Sequence, residues 1–415
     1  MRKVRLGDIA NINISGIDKK TKDGEQAIRL CNFTDVYYNW AITKNMYDGL
    51  MQASASESDI ETFSLCKGQV AITKDSETRD DIGVATYIAD DFEDVVLGYH
   101  CALIAPKDDI PEDERIYGKY LNALLHTKYA QKYFSNNATG SGQRYTLSKE
   151  TVEDMPVYLP YYKEQVRIGD YLSDIDKKIE INHLINSELE VMAKQIYDYW
   201  FVQYDFPDED GKPYKSSGGK MIWNETLKRE IPDGWSVDVL ENLLKLEDSK
   251  RVPLSGKERE SMHGEYPYYG ATGIMDYINK YIFDGDYLLL AEDGSTSDDK
   301  GYPIVQYIWG KTWVNNHAHI IRPMELEQIS FYYFLLKTIP AVMIETGSIQ
   351  KKISQQNLLR YSTLCPPKNI VNVFCKFASK NRGHQKNIID EIKELQALRD
   401  YLLPLLMNGQ ITIKE

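Results

Sequence analysis

Between Pro160 and Pro207 the side chains Ile168, Leu172, Ile175, Ile179, Asn182, Asn186, Leu189, Ala193, Ile196 and Trp200 recur at alternating steps of four and three. A sustained heptad of this kind specifies a long helix paired with another helix, and few folds accommodate it. Pro160 leads in, Glu164 sits where the helix dipole favours an acid, and Pro207 stops the run. About 40 residues at 1.5 Å each make a rod of roughly 60 Å. The chain supplies a partner: Phe374, Ala378, Asn381, Gln385, Ile388, Ile392, Leu395, Arg399, Leu402 and Leu406 repeat the seam, each 206 residues after its counterpart. The pattern predicts a unit of domain plus helix, duplicated once, with the two helices pairing antiparallel in a pseudo-twofold molecule.

The rest of the 415 residues divides around these helices. Short β-type runs at 27–33, 69–73, 83–89 and 100–106, then a helix near 115–134, predict a mixed domain over 1–155. The first helix occupies 156–207, and a polar, Gly/Ser-rich connector covers 208–232. A second domain at 233–365 repeats the first in outline, and 366–415 is the second helix. VNNHAHIIRP (314–323) matches LGYHCALIAP (97–106), placing His317 opposite His100, and Thr346 to Lys351 match the loop at 139–144. The stretches 249–262 and 270–273 have no counterpart. The fold class expected is α+β, two duplicated mixed domains separated by two long helices. A frame copied while its loops diverge suggests related recognition tasks with different targets.

A net charge of −13 argues against indiscriminate binding of nucleic acid, though not against a focused basic cleft. The 30 tyrosines suit contact surfaces as well as cores. Five cysteines without CxxC spacing read as thiols of a reducing cytosol. No apolar run reaches about 18 residues, so no membrane span and a cytoplasmic location are expected.

Catalytic signatures are missing. There is no GxGxxG, Walker loop, HExxH or GxSxG, and no Asn/Asp-Pro-Pro-aromatic run. The acidic run Glu292-Asp293 to Asp298-Asp299 reads either as a solvated turn or as a nuclease metal site, and no metal ligands are assigned. His100 and His317 read as strand histidines or as ligands. The paired loops carry more information. Gly140, Ser141, Gln143 and Arg144, and Gly347, Ser348, Gln350, Lys351 and Lys352, combine close backbone approach with donors that suit phosphates and purine edges. Arg29 and Asn32, with Tyr269 and Thr272 in the second copy, lie beside strands, where DNA contact and hairpin packing are both open. Asn182 and Asn186 either fix the register of the seam or face solvent or another subunit.

Taken in order, these features resemble the DNA-specificity subunit of type I restriction–modification enzymes. The segment LPYYKEQVRIGDYLSDIDKKIEINHLINSELE, with Glu164-Gln165, Asp176, Asn182 and Asn186, is similar to the family's first central helix. Ile231-Pro232-Asp233-Gly234-Trp235, AIRLCNF, YPYYGATGI and the loops ending in Gln-Arg or Gln-Lys also match. The resemblance implies a non-catalytic subunit whose two target-recognition domains each read half of a split double-stranded DNA site, the helix pair setting the gap. Methyltransferase subunits carrying S-adenosylmethionine would dock on the helices, and a restriction subunit would use ATP and Mg. No cofactor is expected in this chain. The alternatives from other classes are a standalone DNA-processing enzyme and a coiled-coil scaffold that binds only proteins. Two departures stand out: Ile370 and Val371 replace the Glu-Gln pair, and Pro404 in LLPLLMNG is expected to kink or break the last turn.

Overall fold

The computed structural model describes residues 2–141, 144–347 and 351–413. It contains two compact units: residues 1–184 with 388–415, and residues 185–387. Each unit holds one mixed domain and a stretch of both long helices, Tyr162–Tyr197 and Lys368–Met407.

In the first unit, Arg2–Arg5 pairs antiparallel with Pro156–Leu159 and so closes the domain at the foot of the long helix. The main sheet runs in the order Ala10–Ile14, Cys101–Pro106, Val70–Thr73, Ala85–Ile88, Ala41–Ile42. Its strand Val70–Thr73 is buried on both faces, and alternation of the side chains assigns each face to a different core. Val70 and Ile72 join a cluster with Tyr120, Leu121 and Leu125, whereas Ala71 packs with Val36, Leu97 and Leu103. A second sheet, Met51–Ala55, Gln26–Cys31, Val95–Leu97, covers the latter side. The single helix expected near 115–134 is two, Gly118–Leu125 and Lys128–Asn137. Thr127 interrupts it: its hydroxyl accepts from the Ala130 N–H and caps the second helix.

In the second unit, Ser236–Val239 pairs with Ser362–Cys365. The sheet order Leu244–Leu246, Ala318–Pro323, Tyr287–Ala291, Val305–Ile308 repeats the first four strands of the other unit. The same two-sided arrangement returns, with Leu288 and Leu290 facing one core and Leu289 the other. Ile329–Leu336 is wholly buried, which explains why its sequence is apolar and aromatic apart from Ser330. Residues 208–232, expected as a connector, are folded. Met221–Asn224 pairs with Arg229–Pro232, Phe206 stacks on Tyr214, and Asp205 accepts hydrogen bonds from the Ser216 N–H and hydroxyl.

Within each unit the two helix stretches are antiparallel. In the first, Ile175, Ile179 and Ile392 are buried together, flanked by Ile388, Leu395 and Leu402. Asp176 pairs with Arg399 at 3.2 Å, and the Asn182 amide donates to Glu391 at 2.9 Å. Asn182 is 1% exposed, so its polar group lies in the seam and selects one register. In the second unit Gln385 donates to the Asn186 carbonyl at 3.0 Å, and Arg382 pairs with Glu190 at 3.2 Å.

Three departures from the seam pattern have local causes. Ile168 and Leu172 belong to the core of their domain, which Leu403, Leu406 and Met407 of the second helix also join. At the far end Tyr197 and Phe201 are the deeply buried residues while Ile196 and Trp200 are only partly buried. Tyr197 and Phe201 pack there against Phe331 and Phe374; a π-helical turn follows at Asp198–Val202, and the helix ends short of Pro207. Pro404 does not break the second helix, which continues through it to Met407. The ring is exposed while Leu403, Leu406 and Met407 are anchored in the first unit's core, so packing holds a turn that lacks one hydrogen bond. The altered start of the second helix is also accommodated. Buried Gln165 accepts from the Tyr117 N–H at 3.0 Å and donates to the carbonyls of Arg115 and Pro160, whereas Val371, 206 residues later, packs in an apolar cluster.

Candidate nucleic-acid interface

Each domain presents a β-hairpin that returns toward the sheet. In the first, Thr139–Ser141 pairs with Arg144–Thr146, which in turn pairs with Asp75–Ser76. Gly140 has φ +130, and a Cβ there would lie 2.1 Å from the Arg144 carbonyl oxygen, so this turn demands glycine. In the second, Glu345–Thr346 pairs with Lys352–Ile353, and Gly347 has φ +88. Gln143, Ser348 and Gln350 lie outside the described residues.

At the base of the first hairpin, Asp75 is surrounded by donors. Lys74 Nζ lies 3.0 Å, His100 Nδ1 2.9 Å and the Arg144 guanidinium 2.9 Å from Asp75 Oδ2. Burial by itself would raise its carboxyl pKa. Hydrogen bonds from His100, Thr146, Lys74 and Arg144 outweigh it and hold the group well below the usual carboxylate range. Tyr99, 45% exposed, carries Lys74 over its ring at 4.7 Å and Arg144 at 6.0 Å. Arg79 lies over Tyr145 at 5.0 Å. Cations and aromatic rings thus cluster around one neutralised carboxylate, a composition suited to phosphates and stacked bases.

The second hairpin rests on a buried charge network. Lys352 reaches Glu292 at 3.0 Å, and Arg251 reaches Glu292 at 2.7 Å and Asp248 at 3.5 Å. His319 lies between them, its Nδ1 2.6 Å from Asp248 and its Nε2 2.8 Å from the Ile353 carbonyl. Gln355 donates to Asp248 at 2.6 Å. Among the described residues, Asp248, Glu292 and His319 are the group whose ligand atoms converge, within 4.8 Å of one another. Arg251 and Lys352 already neutralise these carboxylates and both ring nitrogens of His319 face acceptors, so the arrangement is accounted for as an ion-pair network. Asp298 is a turn residue: its carboxylate accepts from the N–H groups of Lys300 and Tyr302.

The remaining sequence candidates divide by engagement. Arg144, Thr272, Gly347, Lys351 and Lys352 are exposed, with Lys351 paired to Glu345 at 3.1 Å. Arg29 instead donates to the Leu50 carbonyl at 3.0 Å and stacks on Tyr47. Asn32 is 9% exposed at the start of the helix Phe33–Tyr38, its N–H bound to Asp35. Tyr269 packs against a core cluster, and burial raises its phenol to about 12. Gln306 holds the adjacent turn through the carbonyls of Gly270 and Ala271. The linear sequence gave no signal for Asp75, Lys74, Tyr99 or Arg79, whose roles arise from strand pairing. The carboxylate partners of His100 and His317 were equally hidden: Asp75 is 25 residues before His100, and Asp293 is 24 before His317.

A family model described as the type I restriction modification DNA specificity domain matches residues 1–191 and again 232–397. The type I restriction enzyme MjaIX specificity subunit of Methanocaldococcus jannaschii is 26% identical over 329 residues, 74% of this chain and 72% of that protein. The type I restriction enzyme HindI specificity subunit of Haemophilus influenzae is 22% identical over 404 residues, covering 81% of this chain and 85% of its own length. Among solved structures, the S subunit of a type I restriction–modification system from M. genitalium superposes with a TM-score of 0.55 at 15% identity, over 98% of this chain and 95% of that one. This last likeness concerns the fold.

Proposed function

Because the chain belongs to the type I restriction–modification DNA-specificity family, we propose that its two domains read the two halves of a bipartite duplex target through the hairpins at 139–146 and 345–353. The observation that carries this reading is the duplication. One sheet order, one closing strand pair and one hairpin occur twice in the chain, while the loops at 249–262 and 270–273 occur once. Two readers on one frame with different loops are what two unlike half-sites require.

The long helices provide the surface on which methyltransferase and restriction subunits assemble, and S-adenosylmethionine, ATP and Mg belong to those partners. The chain itself is non-catalytic. Within its acidic run Glu292 pairs with Arg251 and Lys352 and Asp298 accepts from turn N–H groups, which disfavours a nuclease centre there. With a net charge of −13, binding of the isolated chain to DNA is weak and partners supply much of the phosphate contact. Among the described residues no helix is long and apolar enough to cross a membrane, in keeping with work on cytoplasmic DNA.

Replacing residues 235–365 with the equivalent domain of a relative, and sequencing the methylated motif made by the assembled complex, tests the reading. One half of the motif should change. A change in both halves, or in neither, would refute it.

A further inference from the structure

Two histidines outside the hairpins occupy equivalent places in the two domains. The Lys74 N–H donates to the His100 carbonyl at 2.9 Å, and the Leu147 N–H to the Lys74 carbonyl at 2.8 Å. In the second domain the Glu292 N–H donates to the His317 carbonyl at 2.8 Å, and the Ile353 N–H to the Glu292 carbonyl at 2.9 Å. This backbone match superposes the next residues, Asp75 and Asp293. Each carboxylate meets the Nδ1 of its histidine, at 2.9 Å for His100 and 2.6 Å for His317. The neighbours have diverged, Lys74 to Glu292 and Cys101 to Ala318, yet the aspartate–histidine pair is the same.

Neither imidazole is a core group. Their side chains are 37% and 49% exposed, and among the described residues neither Nε2 has a hydrogen-bond partner. At His317 the carboxylate behind Nδ1 fixes the ring plane and favours a proton on Nδ1, whereas at His100 the Arg144 guanidinium also lies 2.6 Å from Nδ1 and, as a donor, leaves the ring proton on Nε2. In both domains the Nε2 N–H is then a donor held rigidly and directed away from the aspartate, and at His317 a ring protonated on both nitrogens makes it charge-assisted. Resting on the DNA-reading function proposed above, we propose that His100 and His317 each bind a phosphate oxygen of the DNA backbone, one in each half-site, with Asp75 and Asp293 as positioning residues. The choice of phosphate over base follows from the duplication. What two different half-sites share is the sugar–phosphate backbone, and contacts to it set register without carrying sequence. In the first domain Lys74, Arg144 and exposed Tyr99 gather beside His100, adding local positive charge.

The test uses the chain assembled with its methyltransferase subunits and a duplex carrying the motif that the wild-type complex methylates. Glutamine at either position keeps a polar side chain but cannot carry charge. H100Q and H317Q should each weaken binding roughly tenfold. H317Q should also flatten the slope of log affinity against log salt by about 0.9. The methylated motif should stay the same. Unchanged slopes at unchanged affinity would overturn the proposal, as would an altered half-site at unchanged slope, which marks a base reader. H317Q, at the more exposed of the two sites, decides the matter should H100Q lower thermal stability. D293N, with its imidazole retained, should weaken binding in the same direction by a smaller factor. No effect of D293N would remove the positioning role. A wild-type complex without specific binding would overturn the functional reading and this proposal together; specific wild-type binding with unchanged variants overturns this proposal alone.

Discussion

Removing the His319 ring should do more damage to the second unit than its size suggests. The ring is 1% exposed and joins Asp248, 3% exposed, to the carbonyl of Ile353 on the second domain's hairpin. In H319A the Asp248 carboxylate stays buried, keeping Gln355, the Ile320 N–H and a 3.5 Å approach from Arg251 but losing the imidazole at 2.6 Å. Breaking one partner out of a buried pair costs about 3–5 kcal/mol, and the cavity left by an imidazole acts in the same direction. Urea unfolding should report that loss. Hydrogen exchange in Tyr287–Ala291 and Ala318–Pro323, the strands that carry the network, should accelerate by about 100-fold or more. The pH dependence has a definite sign. Burial acts to raise the Asp248 pKa, but bonds from His319, the Ile320 N–H and Gln355 outweigh it, so the folded value lies below the unfolded one. Its stabilising contribution is therefore present above the ordinary carboxylate range, near pH 4, and is lost as pH falls through the lowered folded value. Without the ring that lowering shrinks, and acid unfolding of H319A should begin at a higher pH than in wild type. Neutralising both partners in D248N/H319Q should recover at least half of the loss, since no uncompensated charge remains. A cost below about 1 kcal/mol, or a double variant as unstable as the single, would refute the account of this network.

Two further outcomes concern the helices. I179A removes a side chain 6% exposed from the cluster with Ile175 and Ile392 and should lower stability by about 2–4 kcal/mol; a urea midpoint near wild type would mean the helix pair contributes little in that unit. P404A restores an N–H that can donate to the Asp400 carbonyl at an exposed position and should stabilise the chain by about 1–3 kcal/mol, so a lowered melting temperature would show that the proline is needed where it stands.

What the linear sequence determined is what repeats within a short window. The four-three alternation needs only 3.5 residues per turn to be recognised, and it located both long helices and their antiparallel pairing. Strands at 69–73 and 100–106 were legible because short, largely apolar runs were bounded by turn residues. The duplication was legible as well, because a constant offset survives divergence of the individual residues. Tertiary structure decided the rest, for reasons outside any such window. Thr127 divides a helix because its hydroxyl finds the Ala130 N–H, and Tyr197 and Phe201 are buried in place of Ile196 and Trp200 because they meet Phe331 and Phe374. Gln165 and Val371 hold equivalent places with opposite chemistry, since one faces three backbone groups and the other an apolar cluster. The residues 208–232 read as polar connector because a hairpin needs only one apolar face, and that face becomes visible only against Phe206, Tyr214 and Ile231. The candidate recognition surface was half legible. Glycines and cations in the hairpins are local features, but Asp75 meets His100, and Asp293 meets His317, only because sheet order sets one strand beside another. Pairing across a sheet depends on which strands become neighbours, and no period in the chain encodes that.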